Sequence, residues 1–129
     1  MTETSDSALG RARRVDKPWG YELIWAHTDQ YVGKILLIET GRRLSLQRHE
    51  LKDESIYVLS GRLLLTLEDD GGEVRTEELG PAEHRHIAVG RIHRYEALDR
   101  CEILEVSTPE LDDVVRLEDD FGREGTSAP

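Results

Sequence analysis

Residues 41–61, GRRLSLQRHELKDESIYVLSG, hold three side chains that can grip one divalent cation. Gln47 and His49 stand two apart, and on a strand such residues share a face. Glu54 follows after Lys52 and Asp53 and opens the apolar alternation of a new strand, which can return its carboxylate over the first pair. A fourth donor, His93, lies in IAVGRIHRYEA behind a glycine turn. Amide oxygen, imidazole and carboxylate form a borderline donor set, for which Zn is taken first and Mn, Fe, Ni and Co are also suited. Singly, each residue reads as an ordinary polar surface group. Their joint placement inside a β pattern favours a metal. His84 and His86 form another pair two apart, but they precede the second glycine turn and read as surface or structural histidines.

The elements that must position these groups are short β segments: YELIWAH, YVGKILLIET, RLSLQRH, SIYVLS, RLLLTLE, EVRTEEL, RHIAV, RIHRYEA and CEILEVS. Turn residues separate them, most clearly Asp70-Gly71-Gly72, a hairpin signal. Strands at this spacing, with almost no helical periodicity, predict an all-β antiparallel sandwich or barrel. Leu44, Leu46, Ile56, Val58, Leu63, Leu65 and Leu67 have the period-two placement of core side chains. Trp19 and Trp25 are expected to pack as anchors, and Cys101 to be an inert buried thiol. Only ELDDVVRLEDD, after Pro109, could hold a helical turn. The non-periodic ends read as tails over 1–14 and 124–129, leaving one folded domain over 15–123.

At 129 residues the chain has room for one core. Charged residues make up 34% and the net charge is −10, which argues against nucleic acid and anionic membrane surfaces as partners. A small anionic substrate would need a local cluster of Lys and Arg. With a single cysteine there is no intrachain disulfide. The N-terminal segment lacks an apolar core, and no run approaches the ~18 apolar residues of a membrane span, so a cytoplasmic setting is expected.

Four stretches resemble a known family: KPWGYE from Lys17, GRRLSLQRH, the segment from Gly90 to His93, and VVRLEDDFGR. They are similar to the cupin superfamily, and within it to the cupin domain of type II phosphomannose isomerases, which carry glutamine where most cupins have their first motif histidine. The resemblance implies a single-domain jelly-roll β-barrel with Gln47, His49, Glu54 and His93 as ligands to one divalent metal. It implies interconversion of mannose 6-phosphate and fructose 6-phosphate, a small-molecule sugar phosphate as partner, and a homodimer. Lys34 occupies the place of a family lysine, on the same strand face as Leu36 and Ile38. Lys34, Arg116 and the Tyr95 hydroxyl are expected at the substrate. Catalytic roles are expected for Arg116 and for a general base drawn from Glu50, Glu118 and Asp119. The chain departs from the family pattern at Glu50, usually histidine, and at Lys52, Ile56 and Ala88, usually arginine, tryptophan and proline. Another metal-dependent cupin enzyme (epimerase, lyase or dioxygenase) and a non-catalytic sugar- or metal-binding module are the alternatives.

Overall fold

The computed structural model describes residues 9–110 and 112–125, so 1–8 and 126–129 of the expected tails lie outside the described residues. The described chain is all-β. Strands β1 (Arg13–Lys17), β2 (Gly20–His27) and β3 (Val32–Ile38) form an antiparallel meander. They are followed by β4 (Leu46–Arg48), β5 (Glu54–Glu68), β6 (Val74–Leu79), β7 (His84–Ile87), β8 (His93–Ser107) and β9 (Val115–Glu118). One path runs β1-β2-β3-β8-β4-β9, while β5 pairs with β6, β7 and β8. Among the described residues no helix is long and apolar enough to cross a membrane.

Two pairs of expected segments are single strands. SIYVLS and RLLLTLE merge into β5, and RIHRYEA and CEILEVS into β8, each of 15 residues. The separator at residue 61 is a bend within a strand. Gly61 has φ +84°, and a Cβ there would lie 2.2 Å from the Arg100 carbonyl oxygen. Only glycine admits that approach and that backbone region without strain. Register shifts between Val58 and Leu63 place β-bulges at the same bend, where added twist turns the ribbon.

The end of the chain also differs from expectation. After Pro109 the described residues hold a turn at Asp112 but no helix. Val115–Glu118 is a strand, β9, paired with β4. Strand β4 has only three residues and would otherwise leave an edge open, so covering that edge outweighs any weak helical preference of the acidic run.

The core gathers the inward side chains of β3, β5, β7 and β8, with Trp19, Leu36, Ile56, Leu63, Leu65, Tyr95 and Ile103 all buried. Leu67 packs against this cluster, whereas Leu46 is only half-buried. Trp19 is an anchor as expected. Trp25 is 53% exposed, its ring lying over Gly33, where a Cβ would come within 2.7 Å of it. The Cys101 thiol is fully buried and pushed up to about 11 by that burial, which leaves it inert at neutral pH.

Candidate metal centre

Gln47 is the middle residue of β4 and is opposed by His93 on β8 and by Arg116 on β9. Directly opposed residues of antiparallel strands share a face, so these three side chains project together. Glu54 opens β5, between Ile87 of β7 and Ser107 of β8. His93 lies at the other end of the β5–β8 ribbon, opposite Leu67. In a flat ribbon, at ~3.3 Å per residue, those ends would be roughly 40 Å apart. Instead His93 Nε2 is 4.0 Å from Glu54 Oε1. The bend at Gly61 has folded the ribbon double and joined its ends.

Ligand atoms of His49, Glu54 and His93 all lie within 4.8 Å of one another, and all three residues are buried. His49 Nδ1 meets the Asp113 carbonyl at 2.5 Å, and His93 Nδ1 meets the Arg91 carbonyl at 2.9 Å. A carbonyl only accepts, so each Nδ1 carries a proton and each ring turns its Nε2 inward. His49 Nε2 stands 3.0 Å from Glu54 Oε1, yet both atoms are buried without an aligned hydrogen bond. Two lone-pair atoms at that separation repel unless a proton or cation lies between them. The donor set therefore fits a divalent metal, and these residues could hold one. Gln47 flanks the cluster with Nε2 3.5 Å from His93 Nε2, while its Oε1 accepts from Ser45 at 2.6 Å. A half-turn of the amide presents Oε1 to the same point, with the Ser45 hydroxyl then accepting.

Charge around the cluster is balanced at short range. Lys52 Nζ lies 3.2 Å from Glu105 Oε2 and 3.7 Å from Glu54 Oε1. The Tyr95 hydroxyl donates to Glu54 Oε2 at 2.5 Å. Burial pushes the Glu54 carboxyl up, but Lys52, His49 and His93 together hold it well below the ordinary carboxylate value. Burial pulls His93 down against the opposing pull of Glu54, and burial with Glu54 beside it pushes Tyr95 well up. A carboxyl depressed in the folded state adds stability above its unfolded value, and loses it as pH falls through the folded one. The metal-free protein is expected to lose this contribution progressively below about pH 4.5, and Glu54→Gln to flatten that limb of an acid-unfolding curve followed by circular dichroism.

Beside the cluster lies a cavity of about 380 Å³, lined on one side by Gln47, His49 and Ser45. Six cations line it, Arg13, Lys17, Lys34, Lys52, Arg116 and Arg123, against Glu22, Glu105 and Asp112. This acidic chain has concentrated positive charge in one place. Glu22 is held by Lys34 at 3.2 Å and by Lys17 at 4.0 Å. Burial draws Lys17 below its usual value, and Lys34, Arg123 and Arg116 add to that effect against Glu22. Such crowding of buried cations suits an anion.

The expected site residues are thus divided. Gln47, His49, Glu54 and His93 come together, and Lys34 and Arg116 face the adjoining cavity. Tyr95 is buried behind Glu54 and does not line the cavity. Nor do Glu50, Glu118 and Asp119. Glu50 and Glu118 are exposed, and the Asp119 carboxylate is taken by Arg123, with Nε at 2.8 Å. Glu118 closes β9 opposite Leu46 with its side chain exposed, Asp119 follows it, and Glu50 is exposed on the loop between two strands. Glu22, Lys52, Glu105 and Arg123, which carried no expected role, line the cavity instead. His84 and His86 are exposed, His86 pairing with Asp53 at 2.7 Å.

Residues 4–119 match the family described as mannose-6-phosphate isomerase C-terminal. The chain belongs to that family. Among curated relatives, mannose-1-phosphate guanylyltransferase ManC of Salmonella typhimurium is 37% identical over 117 residues, covering 86% of this chain and 23% of that protein. The Escherichia coli mannose-1-phosphate guanylyltransferase is 35% identical over the same shares. The chain therefore spans about a quarter of the length of these relatives. KdgF from Halomonas superposes with a TM-score of 0.66 at 24% identity, over 78% of this chain and 88% of its own. An oxalate decarboxylase variant from Bacillus subtilis gives 0.72 at 16% identity, over 82% of this chain and 30% of its own. At those identities the likeness is one of fold, and the fold of this chain is the cupin β-barrel.

Proposed function

We propose that this domain is a metal-dependent sugar-phosphate isomerase that interconverts mannose 6-phosphate and fructose 6-phosphate. The observation that carries the reading is a shared wall: Gln47 and His49 of the metal cluster border the same cavity that Lys17, Lys34, Arg116 and Arg123 make positive. The family described as mannose-6-phosphate isomerase C-terminal supports it. Aldose–ketose interconversion moves a proton between neighbouring carbons through an enediol. A bound divalent metal supplies electrostatic stabilisation of the negative charge that develops on the substrate oxygens. The chain's own part is to orient the sugar phosphate and carry the proton. Arg116, buried and opposed to Gln47, offers a planar fork to the phosphate, and Lys34 adds a point charge beside it. Of the carboxylates on the cavity wall, Glu22 is engaged by two lysines and Asp112 is exposed. Glu105, buried and paired with one lysine, Lys52, at 3.2 Å, has its carboxyl pushed up by burial and is the group best placed to hold the proton.

A second reading, a non-catalytic sugar- or metal-binding module, is favoured by the position of Glu50, Glu118 and Asp119 away from the cavity. A coupled assay of zinc-loaded protein with mannose 6-phosphate separates the two. Turnover is expected, and Arg116→Ala is expected to raise KM roughly ten- to a hundredfold, the equivalent of a lost charge-assisted hydrogen bond. Tight binding of the sugar phosphate without turnover would leave only the module.

A further inference from the structure

The loop between two of the candidate ligands, residues 50–53, has no ladder of its own. Its backbone donors Glu50 N, Leu51 N and Lys52 N converge on one carboxylate, that of Asp113, at 3.1, 2.6 and 2.9 Å. Successive amides turned toward one anion form a nest, and the charge strengthens each bond. The same residue reaches His49 by its other acceptor, since the Asp113 carbonyl accepts from His49 Nδ1 at 2.5 Å. A single residue just before β9 thus holds both the loop and the imidazole that begins it.

We propose that Asp113 is a positioning residue for the metal centre, setting the direction of His49 Nε2 through the 50–52 backbone. This rests on the reading of His49, Glu54 and His93 as metal ligands. Were the Asp113 carboxylate removed, three amides would lose their acceptor and the loop would be free to carry His49 off its present line. The ring would then lose the bond that keeps a proton on Nδ1 and Nε2 turned inward. Groups that fix a ligating histidine from behind are worth tenfold to a hundredfold in metal affinity.

The far end of the same segment provides a control. Asp120 forms a two-pronged pair with Arg43, Oδ2 to Nε at 2.7 Å and Oδ1 to Nη2 at 2.9 Å, and touches neither the loop nor the ligands. The experiment is zinc titration against a chromophoric chelator, with the absorption spectrum of the cobalt(II) form as a second readout. Asp113→Ala is expected to weaken zinc roughly ten- to a hundredfold and to change the cobalt spectrum. Asp113→Asn keeps one acceptor oxygen and is expected to recover most of the loss. Asp120→Ala is expected to lower Tm with zinc affinity and cobalt spectrum unchanged. Should Asp113→Ala not fold, Asp113→Asn is read alone, with a smaller weakening and a shifted cobalt spectrum expected. Wild-type zinc affinity and spectrum in the folded Asp113 variants would overturn the proposal, as would an equal loss in Asp120→Ala. A wild-type protein that binds no zinc would instead overturn the metal reading beneath it.

Discussion

Glu54→Ala is expected to abolish zinc uptake and to cost the metal-free protein about 3–5 kcal/mol, the usual loss when one member of a buried ion pair is removed. The variant leaves Lys52 Nζ with Glu105 as its one remaining carboxylate within 4.0 Å among the described residues, and takes the acceptor from the buried Tyr95 hydroxyl. Against a total of roughly 5–15 kcal/mol for a domain of this kind, the midpoint of urea unfolding would fall far enough to measure easily. Glu54→Gln makes the test sharper. It keeps the shape and an oxygen for Tyr95 but not the charge, so it is expected to fold and still take up no zinc by elemental analysis. A zinc-replete Glu54→Gln protein would rule out this carboxylate as a ligand.

The second large effect lies away from the cluster. Gly61→Ala is expected to destabilise the fold by more than about 2 kcal/mol and to weaken zinc binding, although residue 61 touches no ligand. Its φ of +84° already penalises a side chain, and the new Cβ would fall 2.2 Å from the Arg100 carbonyl and 2.8 Å from Cys101. Backbone there cannot yield without opening the bend that brings Glu54 to His93. Gly90 isolates the two causes, because it has φ +82° with nothing within 4 Å of a built Cβ. Gly90→Ala should cost only the conformational part, about 1 kcal/mol, with zinc binding little changed. Equal losses at the two glycines would mean that backbone conformation, not close approach, governs residue 61.

Much of this architecture is legible in the residues. Period-two alternation in SIYVLS and RLLLTLE marks the inward face, and Ile56, Val58, Leu63 and Leu65 are buried. The gathering of Gln47, His49, Glu54 and His93 follows the expected spacing, with Gln47 on β4, His49 just past its end rather than on the same strand, and the other two at strand starts. What the local pattern does not show is set by contacts distant in the chain. Gly61 looks like a separator, because a glycine that ends a strand and one that bends it leave the same local pattern. The cavity carboxylates did leave a signal. Glu105 alternates with Ile103 and Ser107, and Glu22 with Ile24, so each is a charge on an inward face and needs a partner. That signal names no partner: Lys52 comes from the 50–53 loop and Lys34 from β3. Asp113 left none, since nothing near it in the chain foretells that its carboxylate will cap amides at residues 50–52. Strand β9 was hidden for the same reason: its four residues are a strand only because β4 is there to pair with.

The doubled β5–β8 ribbon also bears on how fast the molecule comes apart. Glu54 and His93 are the first residues of the two longest strands, so a cation gripped by both closes the ribbon into a ring. Such a ring cannot open at Gly61 until a metal bond breaks. Pairings this distant in the chain form late in folding and are costly to reach. A late-formed clasp acts chiefly on the rate of escape from the native state, and little on the rate of arrival. A zinc-loaded protein would then differ from its metal-free form mainly in unfolding half-life, making the metal a determinant of the domain's persistence as well as its chemistry.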